Sequence, residues 1–300
     1  MTVVDRLDQL EAESIHIIRE AVAAAEKPVL LFSGGKDSAV LLHLVAAAFA
    51  PGPLPMPLLH VDTGHNFPEV LAYRDDIACR FDARLLVASV EDALREGVIT
   101  AVPGEVSRNR LQIPVLKAFL GRGEYDVVLG GARRDEDKAR AKERVFSVRG
   151  SDQAWRPEQQ RPELWDIYNA TPPPDGSVRV FPLSNWTERD IWKYVPRRAI
   201  VLPPLYYAHE RDIVVRDGAL VPLSDVIQLG PGEKRIRGWV RFRTVGDVTC
   251  TAAVASAART AEEVLAELAG ATVSERAATR LDDRGVGGTA MEERKRAGYF

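Results

Sequence analysis

Hydrophobic residues along the chain alternate between short continuous runs and longer stretches with helical spacing. The helical pattern at residues 5–25 predicts a first helix that ends before Pro28. Apolar runs short enough for buried strands follow, and glycine turns or helical patterns separate them: VLLF, LLHV, ARLLVAS and DVVLG. Strands that alternate with helices of about 10–15 residues are typical of a doubly wound, mostly parallel α/β sheet, which is the predicted fold class.

The pattern changes in the second half of the chain. A capped helix is predicted to begin near Asn185 or Thr187. Irregular loops and short strands are expected at residues 196–238, where the patterning is weak. We therefore predict a core domain at residues 1–195 and a smaller, irregular C-terminal region of loops and helices at residues 196–300, which we expect to contact a partner protein.

The bulk composition excludes several classes of protein. With 46% hydrophobic and 28% charged residues and a net charge of -3, the chain gives no sign of a nucleic-acid partner. It has no apolar run of about 18 residues for a membrane span, and its acidic N-terminus lacks the order of a secretory signal. We expect a cytoplasmic protein without membrane contact. The two cysteines, Cys79 and Cys250, are too few for a disulfide framework or a four-cysteine cluster.

A glycine turn joins the first predicted strand to the next helix. Its residues are Ser33, Gly34, Gly35, Lys36, Asp37 and Ser38. Backbone N–H groups and the helix dipole make such a turn a general anion site, although a tight turn without a ligand is the plain alternative. The spacing matches neither a Walker loop nor a Rossmann turn. It resembles the PP-loop of ATP pyrophosphatases, and this resemblance implies that the loop holds the β and γ phosphates of ATP while the α phosphorus is attacked.

A second charged segment, from Gly130 to Arg144, has six basic and four acidic residues. We predict a helix that follows the turn at Gly130 and Gly131, with Arg133 and Arg134 exposed in that turn. A pair of planar guanidinium groups at a strand end suits a tetrahedral dianion or the phosphates of ATP. The alternative is a solvated helix that is held together by ion pairs between successive turns.

Further candidates for the site lie in two other segments. Arg108, with Asn109 and Gln112 as neutral donors, is a second anion candidate. Asp62, at the end of a predicted strand, is expected to orient a magnesium ion that is held mainly by phosphates, so no certain protein metal site is predicted. His60 is interpreted as a buried strand residue and His65 as a turn residue or a nucleotide contact.

Taken together, the segments resemble the small, ATP-using subunit of bacterial heterodimeric sulfate adenylyltransferases, within the adenine nucleotide α-hydrolase-like group. The resemblance covers almost the entire chain and rests on SIHIIREA, LFSGGKDSAVLLHL, LLHVDTGHNF, GGARRDEDKARAKERVFS, QRPELWDIYN, RVFPLSNWTERDIW, RFRTVGDVTCT and MEERKRAGYF. It implies that ATP and sulfate, with Mg²⁺, give adenosine 5'-phosphosulfate and pyrophosphate. The implied catalytic residues are Lys36, Arg133 and Arg134, and Asp62 and Gly131 join the loop in the ATP site.

The resemblance also implies a partner. Synthesis of a phosphosulfate anhydride is strongly unfavourable, and the family couples it to GTP hydrolysis on a large subunit, which is either separate or fused to an adenylylsulfate kinase. This chain has no Walker loop of its own. It departs from the family at Ala252, Ala255 and Gly150, where Gly, Glu and Asp are expected, which leaves open a paralogue for a specialised sulfation pathway.

Three alternative functions would be compatible with parts of this sequence. A phosphoadenylylsulfate or adenylylsulfate reductase needs a nucleophilic cysteine near the C-terminus, whereas the tail here is RKRAGYF. A PP-loop tRNA thiolase needs catalytic cysteines and a basic face. A subunit that binds ATP without turnover is the non-enzymatic alternative, and the alanines at positions 252 and 255 are its support.

Overall fold

The structure is a computed structural model that describes residues 5–101, 107–270, 274–275 and 279–281. The helices are α1 Arg6–Ala23, α2 Lys36–Phe49, α3 Pro68–Arg80, α4 Val90–Arg95, α5 Gln112–Gly123, α6 Lys138–Ala141, α7 Glu188–Arg197 and α8 Ala261–Ala269. The strands are β1 Pro28–Leu31, β2 Leu58–Asp62, β3 Leu85–Ser89, β4 Val127–Leu129, β5 Phe146–Arg149, β6 Ser177–Val180, β7 His209–Arg216, β8 Ala219–Pro222, β9 Ile236–Arg241 and β10 Val254–Ala255.

Six strands form the main sheet, in the order β3-β2-β1-β4-β6-β5. All neighbours are parallel except β5, which runs antiparallel to β6 at one edge. The chain moves outward from β1 to β3 and then crosses to β4 on the other side of β1, so β1 and β4 flank the point where the strand order reverses. The predicted doubly wound α/β fold is confirmed. Ligands bind at the carboxyl ends of the strands beside such a reversal.

Successive residues of the central strands point to opposite faces of the sheet, and a separate hydrophobic core covers each face. Leu30 belongs to the larger core, with α1, α2, α3, α7 and α8. The neighbouring Val29 belongs to the smaller core, with α4 and α5. Because both faces are covered, the central strands are continuous apolar runs, which is the pattern that made them recognisable in the sequence.

The segment in which irregular loops and short strands are expected contains most of a second sheet. Four antiparallel strands lie in the order β10-β9-β7-β8, and β7 is eight residues long. The sheet is difficult to recognise in the sequence because its strands carry many polar side chains. Charges on β7 and β9 pair across the strands, as Arg237 does with Asp212 at 3.4 Å. Val214 and Val240 of this sheet join the larger core. The division of the chain at residue 195 remains a prediction.

The helix predicted after Gly131 is wrong for most of its length, because α6 has only four residues. Carboxylates in this segment accept hydrogen bonds from two backbone N–H groups, one inside the segment and one at the start of α7. Glu136 accepts from the N–H of Arg133 at 3.0 Å, and Asp135 accepts from the N–H of Glu188 at 3.0 Å. A local bond such as that between Glu136 and Arg133 competes with helix formation.

The structure describes the N-terminal helix but not the C-terminal motif that the sequence analysis quoted. The first helix is confirmed as α1, whereas MEERKRAGYF lies outside the described residues. Within the described part of the chain, no helix combines the length and the apolar character that crossing a membrane requires.

The cap of α7 provides a test of the fold. The Thr187 hydroxyl accepts from the N–H of Asp190 at 3.1 Å, and the Asp190 carboxylate accepts from the Thr187 N–H at 3.0 Å and also pairs with Arg6. We expect Thr187→Ala to lower the free energy of unfolding by about 1 kcal/mol in chemical denaturation. The exposed Thr171→Ala is the control, and equal stability of both variants would contradict this role of the cap.

Candidate active site

The predicted PP-loop connects β1 to α2 at the carboxyl edge of the main sheet. Gly34 has a φ of +74°, and a Cβ there would lie 2.7 Å from the Cγ1 of Val70, so both conformation and space require glycine. The Ser33 and Ser38 hydroxyls are 3.2 Å apart, and that of Ser38 donates to the Gly35 carbonyl at 2.9 Å. The N-cap residue, Gly35, has no side chain of its own to cap the start of α2. The loop therefore presents hydroxyls and a helix N-terminus, as an anion site does.

A cavity of about 230 Å³ lies against this loop. Of the predicted residues, Ser33, Gly35, Lys36, Asp37, Ser38, Gln112 and Gly131 line it. Residues that sequence reasoning did not select also line it, namely Glu136, Arg140, Tyr206, Thr244, Asp247, Glu275 and Arg280. The cavity thus joins the ends of β1 and β4 to segments from the last third of the chain.

A buried network of two cations and two carboxylates forms one wall of the cavity. The Lys36 ammonium lies 2.9 Å from Asp37 and 2.7 Å from Glu275. The Arg133 guanidinium contacts the same two carboxylates, each at 2.7 Å. The side chains of Lys36 and Arg133 are both 1% exposed, so the prediction that Arg133 is exposed is wrong. Its own segment folds inward, because the carboxylates of Asp37 and Glu275 balance its charge.

Charge and burial act in opposite directions on these groups. Burial by itself would lower the pKa of Lys36, but Asp37 and Glu275 raise it well above its ordinary value, and the pKa of Arg133 rises for the same reason. The pKa of Asp37 is lowered despite its burial, because Arg133 and Lys36 stabilise its charge. Burial raises the pKa of Glu275 to about 7, against the lowering effect of Lys36 and Arg133. Asp37 is thus the firmly ionised partner of the two.

Tyr206 connects the loop to the C-terminal half of the chain. Its hydroxyl accepts from the backbone N–H of Lys36 at 2.9 Å, and burial raises its pKa. Nothing in the sequence near Tyr206 indicates this contact, because the two residues are 170 positions apart. Glu275 is likewise remote from Lys36 in sequence, and only the folded chain brings them together.

The remaining predicted anion candidates hold other partners. Arg134 donates to the Asn185 side chain at 2.5 Å, and it does not line the cavity. Arg108 donates to the Thr63 carbonyl at 3.0 Å and pairs with Glu91. The structure therefore does not bring these two arginines together with Lys36 and Arg133.

Four polar residues from the predictions lie around this edge of the sheet. Gln112 donates to the buried Asn109 side chain at 2.9 Å and faces the cavity. Asp62 accepts from the Gly64 N–H at 2.8 Å and does not line the cavity. His60 is buried as predicted, with its Nδ1 2.9 Å from the Phe32 carbonyl oxygen.

Three carboxylates in the cavity wall are close enough to share a cation. Asp37, Glu136 and Glu275 each offer one oxygen, and these oxygens lie within 4.8 Å of one another. Oxygen donors of this kind suit Mg²⁺, which usually keeps several waters and binds one or two carboxylates together with phosphates. The donor set is therefore compatible with magnesium that arrives bound to a nucleotide.

Comparisons with known proteins agree with this architecture. Residues 27–253 match the family described as the phosphoadenosine phosphosulfate reductase domain. The chain is 54% identical over 295 residues to sulfate adenylyltransferase subunit 2 of Streptomyces lavendulae, covering 98% of this chain and 92% of the relative. It is 53% identical over 295 residues to the protein of that name from Mycolicibacterium gilvum, with 98% and 94% coverage.

The match over residues 27–253 defines the class, a phosphoadenosine phosphosulfate reductase-type domain. Within that class, the chain belongs to the sulfate adenylyltransferase subunit 2 family, which confirms the sequence-based prediction. Among solved structures, it is similar to the phosphoadenylyl-sulfate reductase of Candida auris, with 17% identity, coverage of 68% of this chain and 91% of that one, and a TM-score of 0.45.

The raised pKa of Glu275 predicts a pH-dependent stability. Between its ordinary value of 4.5 and about 7, the folded chain holds a proton on Glu275 that the unfolded chain has lost. The contribution of this group is therefore present below pH 4.5 and is lost as the pH rises through 7. We expect the stability of the native chain, relative to Glu275→Gln, to fall between pH 5.5 and 7.5 in urea titrations. A constant difference across this range would contradict the assignment.

Proposed function

We propose that the chain transfers AMP from ATP to sulfate, which gives adenosine 5'-phosphosulfate and pyrophosphate. The observation that carries this proposal is the position of Lys36 and Arg133, two buried cations at a PP-loop that opens into a cavity. Membership of the sulfate adenylyltransferase subunit 2 family supports the choice of sulfate as the acceptor.

In this proposal the loop binds the β and γ phosphates. The N–H groups at the start of α2 and the hydroxyls of Ser33 and Ser38 donate to their oxygens, while Lys36 balances their charge. Gly131 allows the end of β4 to pack against the loop, because a Cβ there would lie 3.2 Å from the backbone N of Ser38. The leaving pyrophosphate is thus held before the reaction begins.

The phosphates replace carboxylates that now hold the cations. Lys36 and Arg133 are neutralised by Asp37 and Glu275 in the described structure. A triphosphate brings more negative charge than one carboxylate, so it takes Lys36 from Glu275, the partner with the raised pKa.

Catalysis in this site depends on position and charge. Sulfate is a weak nucleophile, so the enzyme gains rate by holding its oxygen in line with the α phosphorus and by neutralising the charge that develops on the pyrophosphate. No covalent enzyme intermediate is needed. Lys36 and Arg133 are the proposed catalytic residues, and their buried position at the PP-loop supports this role. A catalytic role for Arg134 remains a prediction.

Magnesium is part of the proposal. When bound with ATP, Mg²⁺ would neutralise phosphate charge and polarise the reacting phosphoryl group. Asp37, Glu136 and Glu275 are the residues that would hold it, since their oxygens are close together in the cavity wall. The predicted role of Asp62 stays a prediction.

The proposal includes a partner subunit. The name of the relatives, subunit 2, refers to an assembly, and we propose a GTPase large subunit, alone or fused to an adenylylsulfate kinase, as the partner of this cytoplasmic chain. Two residues that depart from the family leave the ATP site unaltered, because Ala252 is buried in the larger core and Ala255 lies on the short strand β10. Neither lines the cavity.

Lys36→Ala tests the function. We expect it to reduce sulfate-dependent pyrophosphate release by about 100-fold or more, because a charge-assisted contact to the leaving group is lost. The measurement uses the complex with the GTPase subunit, GTP and Mg²⁺. Lys193→Ala, which changes an exposed lysine of α7 outside the cavity, is the matched control. Full activity of Lys36→Ala would refute the proposed site.

A further inference from the structure

One face of the β5–β6 edge of the main sheet is polar although it is buried. Its four side chains are Ser147, Arg149, Ser177 and Arg179, and all are at most 1% exposed. The opposite face carries Phe146, Val178 and Val180, which belong to the larger core. A sheet in this class normally has an apolar layer on both faces. The polar layer therefore calls for a functional explanation.

Arg149 is a cation of this layer with unused hydrogen-bond donors. Its Nη2 lies 3.4 Å from the Glu143 carboxylate, while its Nε and Nη1 are buried without a hydrogen-bond partner among the residues that the structure describes. Glu143 is shared, because the Ser147 hydroxyl donates to the same carboxylate oxygen at 2.5 Å. A buried guanidinium with unused donors is costly, and an anion that accepts from those donors would remove the cost.

Two further arginines lie near Arg149. Arg179 is 1% exposed and donates to the Gln153 side chain at 3.3 Å, and Arg140 is 4% exposed. Burial lowers the pKa of Arg149 to about 10, and repulsion from Arg140 acts in the same direction. The pKa of Arg179 is lowered by burial and by repulsion from Arg149. Arg149 and Arg179 lie on the same face of the paired strands β5 and β6, and Glu143, which pairs with Arg149, donates its backbone N–H to the Arg140 carbonyl at 3.0 Å.

One member of the group, Arg140, lies at the candidate active site, whereas Arg149 and Arg179 do not line its cavity. Arg140 lines the same cavity as Lys36 and Gly131. The segment that carries Arg140 begins at the end of β4, where Gly131 packs against the PP-loop backbone. An anion bound at Arg140 would thus share a cavity with a nucleotide bound at the loop.

We propose that Arg140, Arg149 and Arg179 form the oxyanion site that holds sulfate for attack on ATP. This inference rests on the proposed function and adds to it the location of the acceptor. Forked guanidinium donors match the oxygens of a tetrahedral dianion, and a low-dielectric surrounding strengthens each contact.

The test is a calorimetric titration of sulfate into the full chain saturated with Mg²⁺ and the α,β-methylene analogue of ATP. We expect Arg149→Met to weaken sulfate binding by about tenfold or more, because charge-assisted hydrogen bonds are lost, and to leave the affinity for the analogue unchanged. Arg149→Lys keeps the charge without the forked donors, so its loss should be smaller. Arg241→Met is the matched control, because Arg241 is buried on β9 and pairs with Glu267 away from the cavity.

The outcomes separate this inference from the proposed function. Unchanged sulfate affinity in Arg149→Met, or no sulfate binding to the native chain, overturns the oxyanion site. An equal loss of affinity for the analogue and for sulfate also overturns it, since that pattern indicates a purely structural arginine. If Arg149→Met does not fold, the same criteria apply to Arg149→Lys. Failure of the native chain to bind the analogue would instead count against the proposed function.

Discussion

The site depends on two buried cations that pair with carboxylates of the protein and that can exchange one of these carboxylates for a phosphate. Lys36 and Arg133 come from α2 and from the segment after β4, and Asp37 and Glu275 hold them within 3 Å in the cavity wall. Buried cations of this kind are stable only with compensating anions. The protein supplies its own carboxylates, and a triphosphate can then take over the role of one of them. The fold thereby keeps a strongly positive site intact without its ligand.

The sequence was informative where a local pattern decides the structure. The PP-loop could be placed because glycines, hydroxyls and a lysine stand between an apolar strand and a helix. Tyr206 and Glu275 could not be found in this way, since their contacts with Lys36 depend on packing between distant segments. The second sheet was missed because charge pairing across β7 and β9 does not produce an apolar alternation.

Charged segments are equally ambiguous in the sequence. The residues around Arg133 have a composition that favours a solvated helix, yet the arginine is buried and the segment is mostly loop. The sequence gives no signal that would select Arg149 or Arg179, because single arginines in short strands have no distinctive spacing. Their burial side by side is a property of the β5–β6 register, in which Ser147 is opposite Arg179 and Arg149 is opposite Ser177.

The most direct test of the central claim is a crystal structure of the full chain with Mg²⁺ and the α,β-methylene analogue of ATP. The account predicts that the β and γ phosphates contact the N-terminus of α2 and the Lys36 ammonium, and that Glu275 no longer pairs with Lys36. Phosphates bound elsewhere in the cavity, with the Lys36–Glu275 contact still present, would contradict it.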